Sequence, residues 1–454
     1  LGWPVSAAVE RSGATPERAL AAFASGFHEI PDAVLHEGRR ALVNIFATAF
    51  TGCREQPVEA MLRAGMRFSS GVACTLIGRS ERVDLPLAAS INTAGANIFD
   101  FDDTHEATII HPAAAVYSGL FAHAELHGAT GRDVLKSFVL GCEVECRVGN
   151  AVSPYHYAHG WHITSTCGIF GAAAASGRLI GLTDEQMIDA FSCAAAQSSG
   201  MVETLGTGAK SVSMGGAARN GYISAQLAAE GCGGSARPLS APRGYLNVYG
   251  KDPVAERLTD ALGQTWEFAA NTYKPYPVGV VLNPVLEGIL DLREAEGLRL
   301  EQVARIELSG HPLLQQRTDR PLAATGRETQ VSAQHAIAIA LLTGQAGLDE
   351  FSDAAAHRTI AAGRPDVQFD DDSGREVASV RLVVHLVDGR TLTREIAQAA
   401  GSRGRPLSDA QIEAKFVAAA ERADFAGDMR GLLDALWSID DAADAGDIIR
   451  MAGH

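Results

Sequence analysis

Apolar residues recur at three- and four-residue intervals from about Thr15 to Gly250, a spacing that predicts helices. "TPERALAAFASGF" opens with a Thr cap followed by Pro and Glu, a strong helix start. "PDAVLHEGRRALVNIFATAFTG", "TGRDVLKSFVLGCEVECRVGNAV" and "LTDEQMIDAFSCAAAQSSG" each run an apolar stripe to a terminal Gly or small residue. "HITSTCGIFGAAAASGRLIG" is dominated by small residues, as in a central helix crowded by its neighbours. The period changes after about Lys274. "VARIELSGHP" and "VASVRLVVHLVDGRTLTREI" alternate apolar and polar positions, and Asp388-Gly389 between two alternating runs predicts a hairpin. Beyond "GSRGRPLSDAQIEAKFVAAAERA" the helical period returns, with Ser408 or Asp409 as its cap. The expected fold is mostly α: a large helical domain over residues 1–275 and a smaller α+β lid domain over 276–402. Helices over 403–454 then return to the helical domain. No βαβ alternation, no GxGxxG leading into a helix and no internal repeat is present, which argues against a dinucleotide fold.

Composition narrows the partners. At 454 residues, with 46% hydrophobic and 20% charged, the chain has the balance of a soluble multidomain protein. Its net charge of −16 repels phosphate backbones and anionic lipid, so neither nucleic acid nor membrane is an expected partner. An anionic metabolite would need a local basic pocket, which makes individual lysines informative. Seven cysteines, without a CxxC pair and odd in number, read as reduced structural thiols. No run approaches the roughly 20 apolar residues of a membrane span. "LGWPVSAAVERSG" lacks the basic and apolar regions of a signal peptide, and a start at Leu1 fits a trimmed chain. The expected compartment is cytoplasmic.

The densest chemistry lies in "FDFDDTHEATIIHP", residues 99–112. As a metal site it offers Asp100, Asp102, Asp103, His105 and His111, and "YHYAHGWH" adds His156, His159 and His162. There is no HExxH, however, and histidines at i, i+3, i+6 spread round a helix by about 60° per step. As an acid–base site the same residues need cations and donors for charge building beside a carboxylate. Lys210 in "GTGAKSVSMGGAARNG" and Lys274 in "NTYKPYPVG" stand in Gly- and Pro-marked apolar contexts rather than on charged faces. A polar helix end without chemistry is the third reading.

"FDFDDTH…HP", "GWHITSTCGIFGAAAASG", "GTGAKSVSMGGAARNG", "NTYKPYPVG" and "PLSDAQIEAKF" occur in the order seen in the MmgE/PrpD family, which the chain resembles from about residue 16 to 440. That family includes 2-methylcitrate dehydratase, cis-aconitate decarboxylase and iminodisuccinate epimerase. The resemblance implies a helical domain with an α+β lid, a homodimer, and chemistry without metal or organic cofactor. Carried over to this chain, it makes His111 and His162 acid–base residues, and Lys210 and Lys274 holders of carboxylate and enolate. Asp100 would orient a neighbour, Thr104 would donate a hydrogen bond, and Tyr155 and Tyr157 are further proton-donor candidates. Asp102, Asp103 and His105 are expected to be structural. The chain departs from the pattern in three places. Many relatives carry a histidine a few residues after "KPYP", whereas this chain has Asn283. No tyrosine precedes the Arg-Pro pair in "LLQQRTDRP". The motifs of the enteric 2-methylcitrate dehydratases are missing.

The sequence therefore predicts a cofactor-independent lyase, dehydratase-like or decarboxylase-like, acting on a small di- or tricarboxylate by proton abstraction next to a carboxylate. The pocket is expected between the domains, with the lid closing over it. An epimerase of a dicarboxylate such as iminodisuccinate would use the same site and tolerate Asn283 better. A metal-dependent hydrolase and a non-catalytic helical scaffold are more remote.

Overall fold

The computed structural model describes residues 15–26 and 28–453. The N-terminal segment read above for a signal peptide, residues 1–13, lies outside them. The described residues form two compact units, one of residues 15–97, 107–271 and 412–453, the other of Ile98–Glu106 and Thr272–Gln411.

The first unit is almost entirely helical. It contains α1 (Pro16–Ser25), α2 (Asp32–Gly52), α3 (Gln56–Gly65), α4 (Leu85–Asn97), α5 (Pro112–His127), α6 (Gly131–Val152), the short α7 (Tyr155–Ala158), α8 (Ile163–Leu179), α9 (Asp184–Ala195), α10 (Gly208–Ala229) and α11 (Tyr245–Tyr249). A two-stranded ribbon of β1 (Cys74–Thr75) and β2 (Arg82–Val83) lies between α3 and α4. Caps match the polar residues before each apolar stripe. Thr15 accepts from the Arg18 N–H, Thr130 from Asp133, and Thr183 forms a full capping box with Gln186. The small-residue segment is α8, buried along most of its length and packed on α5, α6 and α10. A Cβ on Gly141 would come 2.6 Å from the Gly171 carbonyl oxygen, and one on Gly171 2.8 Å from that of Gly141. The α6–α8 crossing therefore runs backbone to backbone, and only glycine fits. Ala, Ile, Val and Phe side chains fill the remaining core.

One ionic network holds the segment after α11 to this unit. Glu143 and Arg147, one turn apart on α6 and fully buried, pair at 2.6 Å. Arg147 also donates to the carbonyls of Asp260 and Thr265, while Glu143 accepts from the Phe268 N–H at 2.9 Å. Burial pushes the Glu143 carboxyl up, against the pull of Arg147 and of the Phe268 and Glu267 amides.

The second unit begins with β3 (Asp103–His105), which pairs with β4 (Asn271–Tyr273). Its main sheet has β5 (Val303–Gly310), β6 (Val367–Asp371), β7 (Val380–Leu386) and β8 (Thr391–Ile396) in the order β6-β5-β7-β8. β5 runs parallel to β6 and antiparallel to β7. The predicted hairpin is β7–β8, with Gly389 at φ +88° in its turn. β5 and β7 place Ile306, Leu308, Leu382 and Val384 in the core, where α12 (Asn283–Glu296) and α15 (Ala333–Thr343) cover them. The short α13 (Leu313–Thr318), α14 (Gly326–Thr329) and α16 (Asp353–Ala362) complete the unit. α17 (Asp409–Arg422) leads back to the first unit, which ends with α18 (Met429–Trp437) and α19 (Ala445–Met451). The mostly helical prediction matches the structure. Among the described residues no helix is long and apolar enough to cross a membrane.

Candidate functional site

In the helical unit, the two candidate histidines occupy equivalent local positions. His111 is the residue before α5 and His162 the residue before α8, each followed by a helix whose first N–H groups lack intrahelical partners. Both are buried, at 7% and 3% exposure. The His111 N–H donates to the hydroxyl of Thr164 in the first turn of α8, which ties the two helix starts together. His162 is held at two points: its N–H donates to the Gly200 carbonyl, and its Nδ1 lies 3.0 Å from Ser165 Oγ. The Ser165 hydroxyl donates to the His162 carbonyl, so its oxygen accepts from Nδ1–H. This assignment puts the imidazole lone pair on Nε2. The helix N-termini around these rings favour anionic groups.

Lys210 sits in the first turn of α10, behind the Thr207 cap, and is 7% exposed. Tyr155 and Tyr157 lie on α7, half-buried. Tyr155 stacks on exposed His159 and its hydroxyl meets His159 Nδ1 at 3.1 Å, while Tyr157 packs against the core. His156, between them, is fully buried, bound to the Tyr249 carbonyl and the Thr166 hydroxyl. Burial depresses its pKa to about 4, so it is a neutral structural histidine.

The second unit brings Asp100 and Lys274 together. Lys274, 2% exposed, donates to the Asp100 carbonyl at 2.9 Å, with the Asp100 carboxylate 3.3 Å away. Asp100 adopts φ +53°, a left-handed conformation unusual outside glycine, which turns its carbonyl and carboxylate toward the same ammonium. Thr104 is buried on β3, where its carbonyl accepts from Thr272 Oγ1. Thr104 Oγ1 and Asn283 Oδ1 are buried and make no hydrogen bond among the described residues. Asp102, Asp103 and His105 are also buried. A narrow recess, with room for little more than one water, is lined by Lys274, Asn283, Glu106, Thr272 and Ser402.

Two residues escaped the sequence reading. Ser165, which orients His162, stands three positions after it in "HITS"; that spacing is a readable N-terminal signal. Glu106 lines the Lys274 recess, with its carboxyl pushed up by burial and held by the Arg403 N–H. The separation of 297 positions between Glu106 and Arg403 leaves no local signal.

A helical unit with histidines at helix starts and a buried lysine, together in one chain with an α+β unit that holds a buried lysine–aspartate pair, is the two-domain MmgE/PrpD architecture. The N-terminal domain of that family matches residues 18–258 and its C-terminal domain residues 276–437, so the chain belongs to the MmgE/PrpD family. Within it, the chain is 27% identical to a cis-aconitate decarboxylase of Aspergillus terreus over 89% of both chains. It is 26% identical to the cis-aconitate decarboxylase-like protein oryM of Aspergillus oryzae, over 93% of this chain and 94% of that one. The human cis-aconitate decarboxylase is 24% identical over 88% and 87%. These relatives are named for a lyase reaction, the class the sequence predicts.

Proposed function

We propose that the protein is a cofactor-independent lyase acting on a small di- or tricarboxylate, with decarboxylation of cis-aconitate the leading reaction. The observation that carries this reading is the burial of cations in an acidic chain. Of five lysines only Lys210 and Lys274 are buried, in a protein of net charge −16. Burying an ammonium costs several kcal/mol unless it is compensated, so such lysines mark places where negative charge belongs. The full-length likeness to proteins named cis-aconitate decarboxylase supports the same choice.

In this reading Lys210 and Lys274 hold carboxylates, and Asp100 keeps Lys274 in place. Loss of carbon dioxide from cis-aconitate leaves an electron pair that spreads toward a remaining carboxylate. The lysine charges and the α5, α8 and α10 N-termini stabilise that charge. His111 and His162 handle the proton that completes the product; His162 with its lone pair on Nε2 accepts protons there and returns them. Thr104 Oγ1, buried without a partner among the described residues, supplies a hydrogen bond. Tyr155 and Tyr157 have the smaller part. The working form is a cytoplasmic homodimer, checked for assembly by light scattering.

A second reading, an epimerase of a dicarboxylate, is favoured by Asn283. An amide exchanges no proton at neutral pH, and removal and return of one proton tolerates that loss better than water loss does. Proton NMR in deuterium oxide with cis-aconitate, methylcitrate, citrate and iminodisuccinate separates the reactions. Itaconate from cis-aconitate supports the decarboxylase and new alkene signals from methylcitrate or citrate a dehydratase. Solvent deuterium entering an unchanged skeleton with inversion supports the epimerase. Lys274→Met should lower turnover by at least about 100-fold. Unchanged turnover would sink the assignment.

A further inference from the structure

Five of the seven cysteines are buried; Cys193 is half-buried and Cys232 exposed. These two lie 39 residues apart in the chain, on α9 and on the segment that follows α10. The fold presses those pieces together next to the thiols. The Gly234 N–H donates to Asp189 Oδ1 at 2.9 Å and the Ser235 N–H to Ser192 Oγ at 2.9 Å. A Cβ on Gly234 would come within 2.3 Å of Ser192 Cβ, so the segment lies flush on the helix. The Cys232 N–H closes the turn after α10 on the Leu227 carbonyl.

We propose that Cys193 and Cys232 form a thiol–disulfide exchange site, which a low-molecular-weight disulfide oxidises to an intramolecular cross-link between α9 and the segment after α10. These contacts bring the Cys232 thiol close enough to Cys193 to act on it electrostatically. Burial and the neighbouring thiol push Cys193 up to about 11, so exposed Cys232 reacts first. Its thiolate attacks one sulfur of the external disulfide, forming a mixed disulfide and expelling one thiolate. Cys193 then gives its proton to solvent and attacks the Cys232 sulfur, expelling the second thiolate. Two protein thiols are oxidised and one external disulfide is reduced to two thiols. The cross-link pins the exit of α10, the helix whose first turn carries Lys210.

The test incubates the full chain with oxidised glutathione, quenches with acid, and reads intact mass and non-reduced peptides. The wild type should lose two hydrogens and yield one linked pair of peptides carrying Cys193 and Cys232, reversed by dithiothreitol. Cys193→Ser should stop at a single glutathione on Cys232, and Cys232→Ser should form no link. A persistent glutathione adduct on wild-type Cys232, a link to another cysteine, or no reaction at Cys232 would each overturn the proposal. Since the readout is covalent and on the wild type, it stands even where a variant folds poorly.

Discussion

Replacing Arg147 with leucine tests the buried ionic network directly. Arg147→Leu leaves the Glu143 carboxylate, wholly buried, with only the Phe268 and Glu267 amides of the network to meet its charge. The carbonyls of Asp260 and Thr265 also lose their donor, but those residues are exposed and water replaces it. The cost is therefore that of an uncompensated buried charge, about 3–5 kcal/mol. In a helical unit of this size that corresponds to a loss of roughly 5–8 °C in melting temperature. The cost depends on pH in a definite direction. Burial already pushes the Glu143 carboxyl up, and removing the arginine pushes it further. A carboxyl with a raised folded-state pKa is destabilising above its unfolded value and harmless once protonated. The gap between variant and wild type should shrink as pH falls, by at most about 1.4 kcal/mol per pH unit. The assay is thermal unfolding by circular dichroism at pH 8, 7 and 6, with Glu143→Leu/Arg147→Leu as control. Removing both charges should recover at least half the loss, since a buried pair is costly to break and cheap to replace. An Arg147→Leu variant within about 1 kcal/mol of wild type, or a double variant no better than the single, would refute the reasoning.

Three further outcomes are expected. His156 and His335 are buried and neutral, each with its pKa depressed by burial to about 4, and His335 binds the Thr359 hydroxyl and the Glu350 carbonyl. A depressed histidine stabilises fully above its unfolded pKa near 6.5 and loses that contribution as pH falls toward 4; each should cost about 2 kcal/mol at pH 5. His335→Gln should flatten the melting temperature between pH 7 and 5 relative to wild type. Ser165→Ala removes the partner of His162 Nδ1 and should lower turnover up to about tenfold, with an altered pH–rate profile and little change in KM. An unchanged profile would leave Ser165 a helix-start residue only. Gly141→Ala, driven against the Gly171 carbonyl, should destabilise by about 1–3 kcal/mol, read in the same melts.

Local chemistry determined much of this protein by itself. The 3.6-residue apolar period, the Thr caps and the Asp388-Gly389 turn each depend on neighbours within a few residues, so helices and hairpin were legible. His111, His162, Lys210 and Lys274 could be named as candidates because each sits in a short motif, and all four are buried. The mostly helical fold and the family followed from the same motifs in order. What only the tertiary structure decided is long-range. That Ile98–Glu106 joins the unit formed by Thr272–Gln411 rests on β3 pairing with β4 and on Lys274 reaching Asp100, 174 residues away. Arg147 could be read as an exposed helix charge until α6 was seen to bury it against residues 260–268. Cys193 and Cys232 looked like two unrelated thiols, because no spacing in a sequence reports that the turn after one helix lies on the flank of another. Contacts of that kind come from how apolar faces close on each other, and the chain order does not record them.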